Sequence, residues 1–301
     1  MKVKAPAPGQ IGAEVTDLRM QDLTPELAAD LRGLVYEHRL VVVRHQEISR
    51  PEYVEVAKTL GRPQIYFQSH YHHPEHPEIF VSANVPEDGQ KVGVAGTGRF
   101  WHSDYQFFDE PLSITMIYPQ IRPEGRGTKY VDMVRVLHEL PDHLRSRLEG
   151  THAFHEATWF YKVQPEDMDK AIHEILREFR EITPGASHPT IITHPVTGEQ
   201  ALYVSEGFTT AIHGFTHEEN HEVLEELFEF IRREDHVHPH VWADGDVLLW
   251  DNRQLIHRSG GQLKGSPSVS YRIGVYDDLP FYTNTEKRGD VGPCWPIVPP
   301  N

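Results

Sequence analysis

The sequence predicts a mostly β fold with helical insertions: a sandwich or jelly-roll core with helices at its start and in its connections. Three observations carry that expectation. Short β-branched or alternating segments recur along the chain. Helical periodicity is confined to a few capped stretches. No repeat, low-complexity tract or Gly/Ser linker divides the 301 residues, so they read as one domain, 1–301.

Taken in order, Thr24-Pro25 opens a helix, a capping hydroxyl followed by Pro at the first helical position. Leu27, Leu31, Leu34 and Val35 give it one apolar face. Leu40–Val43 is a β-branched run that reads as a buried strand. Ser49 and Glu52 form a capping box for a second helix, which ends near Gly61. Segments 79–82 and 113–117 read as strands. A helical insertion is expected at about 164–182, with Met168, Ile172, Ile175, Leu176 and Phe179 on one stripe and Pro184-Gly185 as its stop. His194 to Gly198 reads as a turn between strands 190–193 and 201–204. Thr216 and Glu219 cap the last helix, about 217–232, whose apolar positions are Val223, Leu224, Leu227, Phe228 and Ile231. Strands at 246–250 and 268–275 follow, and the Pro-rich C-terminal tail reads as irregular.

Charge and cysteine content exclude several functions. Lys and Arg number 29 against 45 acidic residues, a net charge of −16. That balance argues against a general nucleic-acid or anionic-membrane partner while leaving room for a local basic pocket. No run of about 18 apolar residues is available to span a membrane, and the first residues lack a signal-peptide core. Cys294 is the only cysteine, so an intrachain disulfide, a Cys-based zinc finger and an iron–sulfur cluster are excluded within one chain. The expected location is the cytoplasm.

The unusual count is histidine, at 21. His102 and Asp104 stand two apart, a spacing that points both side chains to one face of an extended segment. His257 follows strand 246–250 and the turn after it. Two His and one carboxylate match the facial triad that leaves positions open on iron(II); zinc also takes these ligand types. Arg272, in a β-branched strand, decides between them. A buried arginine needs a carboxylate, and a bidentate pair suits a dicarboxylic cosubstrate. Thr128 could donate a hydroxyl to the same carboxylate.

At these residues the chain resembles the taurine dioxygenase family of iron(II)- and 2-oxoglutarate-dependent oxygenases. The segments that carry the resemblance are Gly12 to Val15, Leu40 to Arg44, Phe100 to Asp104, Gly125 to Thr128, His194 to Gly198, Leu202 to Thr210, and Gly245 to Arg253 leading to His257. The resemblance implies a double-stranded β-helix, with His102, Asp104 and His257 as iron ligands. It also implies that Arg272 and Thr128 hold the distal carboxylate of 2-oxoglutarate, whose 2-oxo acid end chelates the iron, with O2 as co-reactant. Halogenating members carry a small residue where this chain has Asp104, so halogenation is set aside.

A closer similarity, through Tyr66 to Phe80 and Phe100 to Tyr105, is to enzymes that form isonitriles in actinobacterial lipopeptide pathways. It implies a dicarboxylic amine as substrate, an N-carboxymethyl-3-amino acid. Candidate anchors for that small anion are Tyr66, Tyr71, Arg126 and Lys162. The alternatives are a hydroxylase of a small sulfonate or amino acid in the same family, and a non-catalytic 2-oxoglutarate or metal sensor. Association into a homo-oligomer is left open. His70, His72, His73 and His76 are expected to form a polar loop near the pocket mouth rather than a second metal site. His236, His238 and His240 are expected on a solvated face, and Trp101 and Trp250 in packing beside the ligand segments.

Overall fold

The computed structural model describes residues 1–87, 89–261 and 265–284. Its first part runs β1 (Lys2–Lys4), β2 (Ala13–Thr16), α1 (Pro25–His38), β3 (Leu40–Val43), α2 (Arg50–Leu60), β4 (Arg62–Pro63), β5 (Phe80–Ala83) and β6 (Ile114–Ile121). The middle holds β7 (Gly127–Asp132), α3 (Met133–Glu139), α4 (Asp142–Leu148), β8 (His152–His155), α5 (Ile172–Ile182) and β9 (Ala186–Pro189). Then come β10 (Ile191–Thr193), β11 (Gln200–Leu202), β12 (Thr209–Ile212), α6 (His217–Ile231), β13 (Val237–Val241), β14 (Val247–Asp251), β15 (Leu255–Ser259) and β16 (Val269–Tyr276).

Eight strands form the major sheet, in the order β1-β2-β3-β14-β6-β16-β4 with β5 also on β16. A minor sheet, β13-β7-β15, faces its centre. Central strands buried on both faces are near-continuously apolar, as β3 is throughout and β14 is up to Trp250. Val41, Val43, Val247 and Leu249 pack outward against Leu31 and Val35 of α1 and Val54 and Ala57 of α2. Leu40, Val42, Leu248 and Trp250 point inward against Tyr130, Trp242 and Leu255 of the minor-sheet side. Each fully buried aliphatic side chain contributes about 1.5–3 kcal/mol. This two-sheet sandwich is the jelly roll that the strand pattern predicts.

The helix signals act locally as read. Thr24 Oγ1 accepts from Leu27 N at 3.3 Å. The Ser49/Glu52 and Thr216/Glu219 capping boxes are both closed. The turn His194–Gly198 joins β10 to β11, and the predicted strands fall within a few residues of those observed.

Two expectations fail. The helical insertion is shorter than 164–182, since only Ile172–Ile182 is α-helical. Asp167 explains this. Its carboxylate accepts from Gln164 N at 2.8 Å and from the Tyr161 hydroxyl at 2.7 Å, closing a single 3-10 turn instead of a longer helix. Met168 and Ile172 are therefore 76% and 74% exposed, off the apolar stripe that buries Ile175 and Phe179. Nor do His236, His238 and His240 line a solvated face. His236 is buried against Glu139, with Nε2 to Oε2 at 3.1 Å. His240 lies in β13 with Nε2 3.5 Å from Asp246. The C-terminal tail, with Cys294, lies outside the described residues.

Candidate active site

His102 and His257 come together through the backbone. His102 N donates to the His257 carbonyl at 3.1 Å, and His257 N to the His102 carbonyl at 2.8 Å. This bridge fixes the loop after Phe100 to β15 and brings the two imidazoles to 4.3 Å between centroids, tilted by 42°. Asp104 closes the group. Its Oδ1 lies 3.8 Å from His102 Nε2 and its Oδ2 3.7 Å from His257 Nε2. One candidate ligand atom from each of the three lies within 4.8 Å of the others, and all three residues are buried.

The carboxylate is oriented from several sides. Thr115 Oγ1 donates to Oδ2 at 2.7 Å and Arg272 Nη1 to Oδ1 at 2.6 Å. Asn252 donates to Thr115 Oγ1 at 2.8 Å, and Trp250 Nε1 donates to Asn252 Oδ1 at 3.0 Å. Burial pushes the Asp104 carboxyl up, but Arg272, His257, His102 and the Thr115 hydroxyl outweigh it and hold it at about 2. Burial also pushes His102 down, and His257 well down, from the usual imidazole range. Two neutral imidazoles and one ionised carboxylate are the protonation states that a divalent metal requires, so the residues present fit such an ion.

The triad opens into a pocket of about 140 Å³. All of the sequence-predicted site residues line it: Tyr66, Tyr71, Arg126, Thr128, Lys162 and Arg272 accompany the triad. Their neighbours differ. Arg272 sits beside the triad, 4.2 Å over the Phe80 ring. Tyr66 is within 5.0 Å of both Tyr71 and Phe80, centroid to centroid. Thr128 is elsewhere along the minor sheet. In the β7–β15 ladder His257 is opposite Tyr130, and Thr128 is opposite Ser259. Thr128 is thus two residues, or roughly 7 Å, along the ladder from the His257 rung. Its Oγ1 accepts from Trp242 Nε1 at 3.2 Å, and the Arg126 guanidinium lies 5.2 Å over the Trp242 ring. Gly127 between them has no room for a Cβ, which would collide with the His240 carbonyl. Lys162 Nζ donates to the carbonyls of Ala95 at 2.8 Å and Gly96 at 3.1 Å.

Sequence reasoning missed Thr115, Trp242 and the orienting role of Asn252. Nothing in the local sequence distinguishes these from ordinary strand residues. Tyr105 could have been found: it follows the ligand Asp104, lines the pocket and holds a positive φ of 62°, a conformation that non-glycine residues adopt at a cost. His72 Nε2 lies 2.6 Å from the Tyr66 carbonyl, and His73 Nδ1 accepts from Glu75 N. Among the described residues the His70–His76 segment brings no three metal-ligating atoms together. Trp101 and Trp250 are buried packing residues, as expected. No helix among the described residues is long and apolar enough to cross a membrane.

Comparison with known proteins agrees with this geometry. Residues 3–266 match the family described as taurine catabolism dioxygenase TauD, TfdA family. The chain is 26% identical over 271 residues to pentalenolactone F synthase of Streptomyces arenae, covering 84% of this chain and 88% of that one. It is 25% identical over 280 residues to an alpha-ketoglutarate-dependent sulfate ester dioxygenase of Pseudomonas putida, covering 91% and 89%. Among solved structures, a taurine dioxygenase candidate from Burkholderia xenovorans superposes with a TM-score of 0.72 at 24% identity, over 91% and 92% of the two chains. AAD-2, solved with Mn(II) and N-oxalylglycine, superposes with a TM-score of 0.75 at 20% identity, over 93% and 100%. The chain belongs to the TauD/TfdA family, and it is an iron(II)- and 2-oxoglutarate-dependent dioxygenase.

Proposed function

We propose that the protein oxidises an N-carboxymethyl-3-amino acid to an isonitrile. The glycine-derived unit R–NH–CH2–COOH loses CO2 and four hydrogens in two cycles. Each cycle turns 2-oxoglutarate and O2 into succinate and CO2, and the second oxygen atom leaves as water with two of the hydrogens. Iron and cosubstrate supply the oxidising power when bound. The protein's share is to bind, orient and exclude water.

His102, Asp104 and His257 hold the iron. The observation that carries the substrate assignment is the pair of separate cations in one small pocket, Arg272 and Lys162, with the phenols Tyr66 and Tyr71 beside Arg272. A dicarboxylate with a central amine needs two anion anchors, and an aromatic wall favours the amine between them. Lys162 commits two N–H groups to backbone carbonyls, which fixes its ammonium and leaves the third donor for a substrate carboxylate.

In this reading the two arginines exchange the roles expected from sequence. A 2-oxo acid chelating the metal carries its far carboxylate two methylenes away. Arg272 already gives Nη1 to the Asp104 carboxylate at 2.6 Å, which would leave only part of its fork for that group. Thr128 and Arg126, further along the β7–β15 ladder and sharing Trp242, suit it better. In this reading Arg126 and Thr128 seat 2-oxoglutarate, and Arg272, Lys162, Tyr66 and Tyr71 seat the substrate.

A second reading is hydroxylation of another small anion. The relatives favour it, since they include the sulfate ester dioxygenase and a phenoxypropionate dioxygenase of Sphingobium herbicidovorans. Mass spectrometry separates the two. Protein, iron(II), 2-oxoglutarate and N-carboxymethyl-3-aminobutanoate are mixed without oxygen and started with O2. A product short of CO2 and four hydrogens, with about two succinates per product, is expected. A product gaining one oxygen instead would overturn isonitrile formation and leave the hydroxylase.

A further inference from the structure

Beside the active-site pocket, at the Gly260 end of the minor sheet, lies a second cavity of about 810 Å³. Arg99, Arg126, Lys129 and Arg258 line it, and among the described residues no acidic one does. Among the described residues, none of these four side chains makes a hydrogen bond or an ion pair. The chain has 45 acidic residues against 29 basic ones, so scarcity of carboxylates does not explain this. Lys129 and Arg258 are directly opposite one another in the β7–β15 ladder, where like charges repel and destabilise the pairing. Arg126 is only 7% exposed, and its Nε is buried without a partner, as is Arg258 Nε. Arg99 adds its field, opposing the charge on both Arg126 and Lys162. Among the described residues, Arg258 is steadied by the Trp101 ring, 4.8 Å away. Arg99, Lys129 and Arg258, one of them with a buried idle donor, form a site prepared for an anion, and Arg126 stands at its border with the reaction pocket.

We propose that this cleft binds a phosphate group. Guanidinium forks and an ammonium converging on one space match an acceptor with two charges and several oxygens, whereas a single carboxylate satisfies one fork. Thr97, Arg126 and Ser259 line both cavities, so the cleft opens onto the reaction pocket. A phosphate carried at the far end of a long substrate can occupy it while the reacting carbon stays at the metal. Free phosphate has the same chemistry. The binding site itself is independent of the isonitrile reading; only the link to a long substrate rests on the oxygenase pocket described above.

Calorimetry tests it on the full-length iron(II) protein without oxygen, with saturating 2-oxoglutarate and constant ionic strength. Inorganic phosphate is titrated in one arm and a short alkyl phosphate in the other. Single-site binding is expected, weakened at least tenfold in the Lys129→Gln/Arg258→Gln variant, with 2-oxoglutarate affinity unchanged. Lys129→Gln alone should melt no lower than wild type in phosphate-free buffer, because it relieves the opposed pair; this separates lost binding from lost folding. Tighter binding of the alkyl phosphate supports a phosphate borne by a larger molecule, and equal or tighter binding of inorganic phosphate supports the free ion. Absence of binding, or binding unaltered in the double variant, would overturn the proposal. The product assay above reads a different quantity, so either inference can fail without the other.

Discussion

Arg253 and Arg126 are both withdrawn from water, but the protein completes the bonding of only one of them. Arg253 places Nη1 and Nη2 on the two oxygens of Asp277 at 2.8 and 2.9 Å. Its Nε donates to the Phe281 carbonyl at 2.8 Å, and Nη2 also reaches Pro280 O at 3.3 Å. Asp277 in turn accepts from the Tyr36 hydroxyl at 2.7 Å. Arg126 has a Trp242 ring beneath it and an Nε with no acceptor. A buried charge that is fully bonded ties segments together. One left incomplete costs stability in the free protein and is kept where a ligand completes it. The two side chains therefore separate folding from binding within one sandwich.

The largest expected effect is at the completed site. Arg253→Met leaves Asp277 buried without its counter-ion and should lower stability by about 3–5 kcal/mol, read by urea denaturation. Replacing Asp277 by Asn in the same background should recover part of that loss. A drop below about 1 kcal/mol, the scale of a surface pair, would mean that the Arg253 network is not a fastening and would remove the contrast.

At the incomplete site the expected loss is in binding. Arg126→Ala should alter stability little and raise the KM for 2-oxoglutarate roughly 10- to 150-fold, the scale of about 1.5–3 kcal/mol for a hydrogen bond to a charged group. Arg272→Ala should act mainly on the KM of the substrate. If Arg272→Ala raises the cosubstrate KM and Arg126→Ala the substrate KM, the roles return to those expected from sequence.

Sequence patterns with a local cause were legible. Thr24-Pro25, the two capping boxes and the His194–Gly198 turn need only their own few residues, and they appear where read. His102 and Asp104 share a face because of a two-residue spacing, and His257 follows a recognisable strand and turn. What was not legible depends on pairings made across the fold. Thr115 reaches Asp104 only because β6 lies beside β14. Trp242 reaches Thr128 because β13 pairs with β7. The neighbours of Arg126 and Arg272 belong to this second kind: the Trp242 ring under Arg126 and the Asp104 carboxylate on Arg272 follow from no spacing in the sequence. Met168 failed for a related reason: its helical period was correct arithmetic, but the Asp167 side chain closed the turn first.

Acid should reach the Arg253 end of the contrast and spare the other. Burial pushes the Asp277 carboxyl up, but hydrogen bonds and charge from Arg253, with the Tyr36 and Ser113 hydroxyls, outweigh it and lower its pKa. The unfolded chain, with a carboxyl near the usual value of about 3.9, then binds more protons than the folded one. Stability rises with pH through that window. The contribution is complete above about pH 4 and is lost as pH falls through the lowered folded value. Asp104, held at about 2, has the same sign. Asp277→Asn should therefore flatten part of the acid limb of stability against pH. Arg126→Ala should leave that limb unchanged, since the Arg126 shift has burial and Arg99 as its causes and no carboxylate among them. Equal acid limbs for wild type and Asp277→Asn would contradict the ion pair.

The smallest effect tests whether the incomplete site is one seat or two. Thr128→Val keeps the volume, removes a neutral hydroxyl and leaves Trp242 Nε1 without its acceptor. A neutral hydrogen bond is worth about 0.5–1.5 kcal/mol, so the KM for 2-oxoglutarate should rise roughly 2- to 12-fold, less than for Arg126→Ala. Thr128→Ser should restore it. If Thr128 and Arg126 grip the same carboxylate, the double variant should lose less than the sum of the two single losses, because neighbouring groups on one ligand couple. Strict additivity would place the two side chains on different ligands. In that case Arg126 would belong to the adjoining cationic cleft alone, and its idle Nε would report the anion bound there rather than the cosubstrate.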